Sequence, residues 1–317
     1  MEPKISGVRI AVIGTGFVGS TFAYTVMLSG IASELVLIDV NREKAEGDAM
    51  DLNHGLAFSK PMTIWAGDYA DTASADVIVI AAGANQKPGE TRLDLVRKNT
   101  AIFRDIISNI MKHNPKGIIV VATNPVDILT YATLQISGLP TKRVFGSGTI
   151  LDTARFRFLL GRCVDIDPRS VHAYIIGEHG DTELPVWSLA SVGGMPIEAF
   201  SDISGCDYTP ETRECIYTAV RDAAYQIIKL KGATYYAIAV GLQRIVEAIV
   251  RDEHSVLSVS TLLKDFHGIS DVCLGVPCVV NRSGIDRVIE LPLNEVEMTG
   301  LRRSATALQE IARTVGL

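Results

Sequence analysis

The stretch from Val8 to Asp39 constrains the fold of this chain more than any other. It opens with a β-branched apolar run at residues 8–13, which is typical of a strand buried on both faces. Three glycines follow at the spacing G-x-G-x-x-G: Gly14, Gly16 and Gly19. A helical pattern then runs to Gly30, and a second apolar strand at residues 35–38 leads into Asp39. The order strand, glycine turn, helix, strand predicts a βαβ unit.

Each of these residues has a physical role in binding a dinucleotide. Gly14 permits the tight turn, Gly16 lets the backbone approach a pyrophosphate, and Gly19 lets the helix pack on the sheet. The diphosphate would rest on the positive end of the helix. Asp39 lies 20 residues beyond Gly19, where a carboxylate accepts hydrogen bonds from a ribose and repels a 2′-phosphate. We therefore expect NAD, although a glycine turn without a ligand would share part of the pattern.

Size and charge limit the possible partners. At 317 residues the chain is long enough for two domains, and its net charge of −6 comes without a basic cluster, so we expect no nucleic-acid partner. Residues 10–33 carry no charge, but they contain four glycines and split into strand and helix periods, so we expect no membrane span. The N-terminal sequence MEPKISG is too short and polar for a signal peptide, which predicts a cytoplasmic protein.

The cysteines do not form a metal-binding pattern. Five of them are scattered through the second half: Cys163, Cys206, Cys215, Cys273 and Cys278. The closest two are separated by four residues in an apolar segment with no histidine nearby, so we expect no metal site. In a reducing cytoplasm we expect free thiols.

Strands and helices alternate through the first half of the chain. Strand-like runs at 76–82 and 117–122 flank a helical stretch at 94–113 with one apolar face. This alternation predicts an α/β fold with a doubly wound parallel (Rossmann) sheet, whose ligands gather at the carboxyl ends of the strands. We assign residues 1–146 to this dinucleotide-binding domain.

The second half has a different pattern and predicts a second, α+β substrate-binding domain at 147–317. Short strands are expected near 170–176, 277–281 and 287–291, together with helices over roughly 211–251 and 294–315. Asn294 and Glu297 have the spacing of a capping box for the last helix.

Unusual polar residues fall in the loops after the strands. The loop GANQKPGETR, residues 83–92, contains Gln86 and Arg92, and its glycines and proline suit a loop that can swing over a pocket. TNPVD contains Asn124, and Asp152 and Arg155 share one face of a helix at 151–162. Because all follow strands, we expect these side chains to meet near the nucleotide crevice.

His179 lies in IIGEHGD, between two glycines and just after an apolar strand. A histidine exposed there titrates near neutral pH, as a proton donor must. By itself it is more often a hydrogen-bonding loop residue, but the neighbouring carboxylate and cations favour a catalytic role.

Six motifs in order resemble the NAD-dependent L-lactate dehydrogenases of the bacterial type, nearly end to end: GTGFVG, AGANQKPGETRLDLV, TNPVDILTY, GTILDTARFR, IIGEHGD and KGATYYAIA. By this resemblance His179 is the acid/base that protonates the ketone oxygen, and Asp152 orients and charges it. Arg155 clamps the substrate carboxylate, while Arg92 and Asn124 bind the carbonyl oxygen. Without the resemblance, Arg92 and Asp152 are equally explained as solvated charges and Arg155 as a helix ion pair.

The resemblance also bears on the substrate. Malate-specific relatives carry arginine at the position of Gln86, to pair with a second carboxylate; a neutral amide disfavours oxaloacetate and implies pyruvate and L-lactate. Thr234 matches a small pocket wall, or is a plain helix residue. Malate dehydrogenase is the enzymatic alternative, a bulkier 2-oxo acid is disfavoured by the intact QKPGETR loop, and a non-catalytic NAD-binding protein is the alternative from another class.

Further cofactor contacts are implied by the resemblance, and each of these residues could instead only shape a turn: Val18, Lys44, Tyr69, Gly83, Ala84, Asn124 and Ser147. Arg157 and His172 match the positions where allosteric bacterial members bind fructose 1,6-bisphosphate between subunits of a homotetramer. The alternative interpretation is that Arg157 is an ordinary surface residue and His172 an ordinary strand residue, without a regulatory role.

Overall fold

A computed structural model of the chain describes residues 7–84, residue 89 and residues 91–317. The first half contributes six parallel strands to one sheet: β1 (Arg9–Ile13), β2 (Glu34–Ile38), β3 (Thr63–Ala66), β4 (Val77–Ile80), β5 (Ile118–Val121) and β6 (Val144–Gly146). Their order is β3-β2-β1-β4-β5-β6. The sequence order therefore reverses between β1 and β4, which is the switch point where a doubly wound sheet binds its ligand. The predicted fold class is confirmed.

Both faces of this sheet are buried, as the apolar run in β1 predicts. Ile10 and Val12 face one hydrophobic core, Ala11 and Ile13 face another, and all four are at most 2% exposed. Four helices of the first half cover the two faces: α1 (Phe17–Ser29), α2 (Arg42–Gly55), α3 (Arg92–His113) and α4 (Val126–Ser137). Because the sheet is packed on both faces, the loops that leave the carboxyl ends of its strands start from fixed positions.

The second half has mixed elements, as predicted. Its helices are α5 (Ile150–Cys163), α6 (Ile197–Ser204), α7 (Pro210–Arg221), α8 (Ala223–Lys231), α9 (Tyr236–Val250) and α10 (Glu295–Val315). Its strands are β7 (Val171–His172), β8 (Ile175–Ile176), β9 (Leu184–Pro185), β10 (Ser191–Val192), β11 (Met195–Pro196), β12 (Ser255–Leu262), β13 (Cys273–Asn281) and β14 (Gly284–Val288). The capping box at Asn294 and Glu297 begins α10, with both reciprocal hydrogen bonds present.

Three strands of the second half do not form a separate sheet. β12 pairs antiparallel with β6, and β13 and β14 follow, so that one nine-stranded sheet spans both halves. The sequence interpretation missed β12. The division at residues 146 and 147 stays a prediction, since this sheet runs through it.

The helix expected at 211–251 is wrong in its length, because the chain breaks it into α7, α8 and α9. Gly232 ends α8 with a φ of 86°, in the left-handed region that glycine adopts most readily. The break leads into Thr234, and Ala224 and Ile228 of α8 line the same cavity as Thr234. Within the described residues, no helix is both long and apolar enough to cross a membrane.

The expectation of free thiols is wrong for two cysteines. Cys163, the last residue of α5, forms a disulfide with Cys206, and their Cα atoms are 6.2 Å apart, within the usual range. Gly205 ends α6 in a left-handed conformation and turns the chain so that Cys206 reaches α5. The remaining cysteines are free: Cys215, Cys273 and Cys278.

Candidate active site

Two neighbouring cavities lie at the carboxyl ends of the parallel strands. The smaller has a volume of about 300 Å³ and contains many of the predicted site residues: Val18, Gly83, Ala84, Asn124, Ser147, Arg155, His179 and Thr234. The larger has a volume of about 640 Å³ and is lined by other predicted residues: Gly14, Gly16, Asp39, Tyr69 and Gly83. Because Gly83 lines both, the two cavities adjoin at the turn after β4.

The glycine turn after β1 has the geometry that a diphosphate requires. Gly14 has a φ of 93°, and a Cβ atom there would collide with the backbone of Ala82. Gly19 leaves no room for a Cβ atom against the carbonyl oxygen of Gly14, whereas the same position on Gly16 meets open space within 4 Å. Among the described residues no side chain caps α1 at Gly16, so its first N–H groups face the opening.

Asp39 and Lys44 hold the glycine turn in place. The Asp39 Oδ2 atom accepts a hydrogen bond from the Thr15 N–H at 2.6 Å, and its Oδ1 accepts one from the Asn41 N–H at 2.8 Å. Asp39 still lines the larger cavity. The Lys44 ammonium donates hydrogen bonds to the Thr15 carbonyl and to Asp48, and thereby links the glycine turn to α2. Lys44 is not among the residues that line the larger cavity, so its predicted contact with a cofactor stays a prediction.

His179 is held by two carboxylates. Its Nδ1 lies 2.5 Å from Oδ2 of Asp152, which is buried in the first turn of α5. Its backbone N–H donates to Oδ2 of Asp127 at 2.8 Å, and the Ser260 hydroxyl donates to Oδ1 of the same carboxylate at 2.6 Å. Imidazole and backbone are therefore fixed independently, which fixes the direction of the ring.

The charges around His179 favour its protonated form. Burial alone would lower the pKa of His179, but the charge and hydrogen bond of Asp152, with the charges of Asp127 and Glu183, raise it to about 9. Burial would raise the pKa of Asp152, and His179 and Arg155 lower it. Burial, together with the nearby Asp152, raises the pKa of Glu183 to about 8. These charges therefore favour the protonated form of His179 at neutral pH, and its pKa lies above the near-neutral value expected from the sequence.

Arg155 lies on the same helix as Asp152, one turn further along. Its Nη1 donates to Oδ1 of Asp152 at 2.8 Å, while its side chain is 14% exposed and lines the smaller cavity. Asn124 and Thr234 line this cavity too. A cation, an amide and a protonated imidazole therefore surround one small space. This set can bind a carboxylate and protonate an adjacent carbonyl oxygen.

Two predicted residues of the substrate pocket, Gln86 and Arg92, fall wholly or partly outside the described part of the chain. Gln86 lies outside the described residues. Arg92 begins α3, but its side chain also lies outside the described part of the chain. Their assigned roles stay predictions.

The predicted regulatory pair, Arg157 and His172, is not among the residues that line the two cavities. Arg157 donates through Nε to the Pro168 carbonyl at 3.3 Å and through Nη2 to the Arg169 carbonyl at 3.2 Å. His172 follows this turn on β7 with an exposed side chain. Arg157 and His172 thus belong to one region of the surface, and the role of the pair stays a prediction.

Sequence reasoning missed several polar residues that support the site. Asp127 belongs to the TNPVD motif, in which the sequence analysis assigned a role only to Asn124. Asp127 is buried, with 2% of its surface exposed. Asn99 is fully buried behind the turn at Ala84, and Glu183 follows His179 by four residues. The sequence signal for Asp127 was that an acidic residue follows shortly after a predicted strand. Asn99 gave no signal, because it lies in the middle of a helical pattern.

Comparison with known proteins identifies the family. The sequence profile for the lactate/malate dehydrogenase NAD binding domain matches residues 8–146, and that for the lactate/malate dehydrogenase alpha/beta C-terminal domain matches residues 149–315. The chain belongs to the lactate/malate dehydrogenase family. It is therefore an NAD-dependent oxidoreductase, and the resemblance seen in the sequence is confirmed.

Individual relatives match over nearly their whole length. An L-lactate dehydrogenase of Geobacillus sp. (strain WCH70) is 60% identical over 96% of this chain and 95% of its own length. One of Acetivibrio thermocellus is 54% identical over 98% of both. The solved structure of a lactate dehydrogenase from a Medee basin deep-sea metagenome library has a TM-score of 0.95 at 46% identity, covering 98% of this chain and 99% of its own. A minor L-lactate dehydrogenase from Enterococcus mundtii has a TM-score of 0.94 at 44% identity over 98% of both chains.

Proposed function

We propose that this chain is an L-lactate dehydrogenase, which interconverts pyruvate and L-lactate with NAD as the hydride carrier. The observation that carries the proposal is the arrangement of His179, with its partner Asp152, and Arg155 around one cavity beside the glycine turn. A 2-oxo acid presents a carboxylate next to a ketone, and these residues offer a cation and a proton donor in the lining of one cavity. Relatives that carry the name L-lactate dehydrogenase support the same activity.

The residues around the larger cavity fit NAD. Open space at Gly16 and the uncapped start of α1 among the described residues suit a diphosphate, and Asp39 suits a ribose diol. When bound, the cofactor supplies a hydride to the C2 carbon of pyruvate or takes one from lactate. Gly83 lines both cavities, and Ala84, Ser147 and Val18 line the smaller one.

The chain's own residues bind the substrate and move the proton. Arg155 binds the carboxylate with parallel N–H bonds, and Asn124 donates to the ketone oxygen. Since Nδ1 of His179 is engaged with Asp152, its Nε2 gives the proton to that oxygen in pyruvate reduction and takes it back in lactate oxidation. Asp152 stays ionised throughout, because its pKa is lowered by His179 and Arg155 against the effect of burial.

The choice of substrate rests on Gln86, with Thr234 as a wall of the same pocket. A neutral amide would leave the second carboxylate of oxaloacetate unpaired, whereas the methyl group of pyruvate needs no partner. Arg92 is assigned the task of polarising the carbonyl.

Gln86→Arg is expected to shift the preference towards oxaloacetate. The new cation adds a charged hydrogen bond of about 1.5 to 3 kcal/mol, so the ratio of kcat/KM for oxaloacetate over pyruvate should rise roughly ten- to hundredfold. NADH absorbance is followed with pyruvate, oxaloacetate and 2-oxoisocaproate in the wild type and the variant. The uncharged variant Gln86→Met is the control and should gain nothing on oxaloacetate. A wild type that prefers another acid to pyruvate contradicts the proposed function, and an unchanged ratio in Gln86→Arg contradicts the role of this residue.

We further propose that Arg157 and His172 bind fructose 1,6-bisphosphate at an interface of a cytoplasmic homotetramer. Support comes from their place on one surface region and from the resemblance to allosteric bacterial members. A two-fold axis between two subunits would bring both copies of Arg157 and His172 to one site, where they could bind the two phosphates through charge-assisted hydrogen bonds.

The bisphosphate is expected to lower the apparent KM for pyruvate, because a ligand that binds the active conformational state more tightly shifts the equilibrium towards it by that difference in affinity. Initial rates are measured over a range of pyruvate concentrations with and without saturating bisphosphate, in the wild type and in His172→Gln, which should respond less. An apparent KM for pyruvate that the bisphosphate leaves unchanged in the wild type would reject the regulatory site.

A further inference from the structure

Asn99 is a fully buried amide on α3, directly behind the wall of the catalytic cavity. Its Oδ1 accepts a hydrogen bond from the Ala84 N–H at 2.8 Å, and its Nδ2 donates to the Ala84 carbonyl at 3.3 Å. The same Nδ2 also donates to the Asn124 carbonyl at 3.1 Å. One side chain therefore joins the turns that follow two neighbouring strands, β4 and β5.

The two turns joined in this way carry different parts of the proposed reaction. Ala84 and Gly83 form the wall next to the nucleotide crevice, and Asn124 offers the amide that binds the ketone oxygen. Hydride transfer requires the substrate carbon and the cofactor ring to be aligned closely. The relative position of these two turns is thus part of what the reaction depends on.

We propose that Asn99 is a positioning residue for this reaction: it fixes the cofactor wall at Gly83 and Ala84 in register with the substrate-binding Asn124. The inference rests on the proposed function, because that function assigns Asn124 its role. The hydrogen bonds of the Asn99 side chain go to backbone groups of Ala84 and Asn124, so Asn99 affects the reaction by positioning these two residues.

An amide is well suited to this position. Asparagine combines an acceptor with two N–H donors, which matches one backbone N–H and two backbone carbonyls. Aspartate would keep the acceptor and lose both donors, and an apolar residue would leave three backbone polar groups of Ala84 and Asn124 without this partner. Space is also restricted, since a Cβ atom on Gly83 would lie 3.4 Å from Oδ1 of Asn99 and closer still to the Thr123 methyl group.

The chain offers a matched control at the other end of the same helix. Asn114 follows the last residue of α3 and is 4% exposed. Its Nδ2 donates to the Thr72 and Ala75 carbonyls at 2.7 and 2.8 Å, and its Oδ1 accepts from the Gly117 N–H at 2.7 Å. Asn114 therefore ties backbone turns together as Asn99 does, but at the amino ends of the strands, away from the cavities.

The experiment compares Asn99→Ala with Asn114→Ala in the full-length enzyme. Thermal unfolding midpoints, NADH affinity by fluorescence, and kcat and KM for pyruvate are measured for both variants and the wild type. Both variants should unfold at lower temperature. Asn99→Ala should lower kcat/KM by about tenfold to a hundredfold, mainly through kcat, since misplacement of a reacting group by about 1 Å has an effect of that size. It should also weaken NADH binding, whereas Asn114→Ala should keep wild-type kinetics below its unfolding temperature.

Equal kinetic parameters in the two variants would overturn the inference and leave the proposed function intact, because the wild type would still reduce pyruvate. If the wild type does not reduce pyruvate, the proposed function fails, and the difference in NADH affinity between the two variants still tests whether Asn99 fixes the cofactor wall. Should Asn99→Ala not fold, Asn99→Ser provides the same comparison, since its hydroxyl can keep one of the three bonds.

Discussion

Replacing His179 with asparagine is expected to lower kcat for pyruvate reduction by about a hundredfold or more. Asparagine can still donate a hydrogen bond to the ketone oxygen, but it has no proton to give at neutral pH. The loss should appear in kcat, because Arg155 still binds the carboxylate. Stopped-flow measurement of NADH oxidation at saturating pyruvate reads this step directly.

The pH dependence of the wild type gives an independent measure of the same group. His179 is charged below its pKa of about 9, so the rate of pyruvate reduction should fall as pH rises through that value, and lactate oxidation should rise. Residual activity of His179→Asn should lack this dependence. His113→Asn is the matched control: His113 is exposed in the last turn of α3, and its loss should leave rate and pH profile unchanged. A His179→Asn enzyme that keeps the wild-type kcat would exclude the imidazole as the proton donor.

The fold was predictable where local patterns repeat. The apolar run in β1 and the spacing of Gly14, Gly16 and Gly19 specify strand, turn and helix locally. A parallel strand buried on both faces can be recognised from its continuous apolar run alone, without knowing which strands lie beside it. The attachment of β12 to β6 was not predictable, because alternation along an antiparallel strand does not encode which strand lies beside it. The Cys163–Cys206 disulfide was missed for a related reason: Cys206 follows Cys163 by 43 positions, and only the tertiary fold brings the two together.

The sequence predicted that the proposed reacting groups would lie near one another, but it did not reveal the residues that support them. His179, Arg155 and Asn124 follow strands in loops or at the start of a helix, where a doubly wound sheet gathers its ligands. Asp127 and Asn99 instead lie within helical stretches, in which a buried polar residue and a solvated one look alike in a single sequence. Their hydrogen bonds to backbone groups of residues far along the chain appear only in three dimensions.

Arg155→Lys tests the carboxylate clamp while keeping a positive charge next to Asp152. The bond to Asp152 uses one of the five N–H donors of the guanidinium, so a parallel pair remains for the substrate. Lysine offers only a point charge and would have to divide it between Asp152 and pyruvate. Losing a charged hydrogen bond costs about 1.5 to 3 kcal/mol, so kcat/KM for pyruvate should fall roughly ten- to hundredfold, mainly through KM.

NADH affinity should stay at the wild-type value in Arg155→Lys, because the glycine turn and Asp39 are untouched. Arg162→Lys, two turns further along α5 and exposed, is the matched control and should leave KM unchanged. A KM for pyruvate equal to that of the wild type in Arg155→Lys would mean that the substrate carboxylate binds elsewhere. His179 and Arg155 would then not share a ligand, and since a proton donor without an anchored 2-oxo acid gives no specificity, the proposed dehydrogenase activity would lose its structural basis.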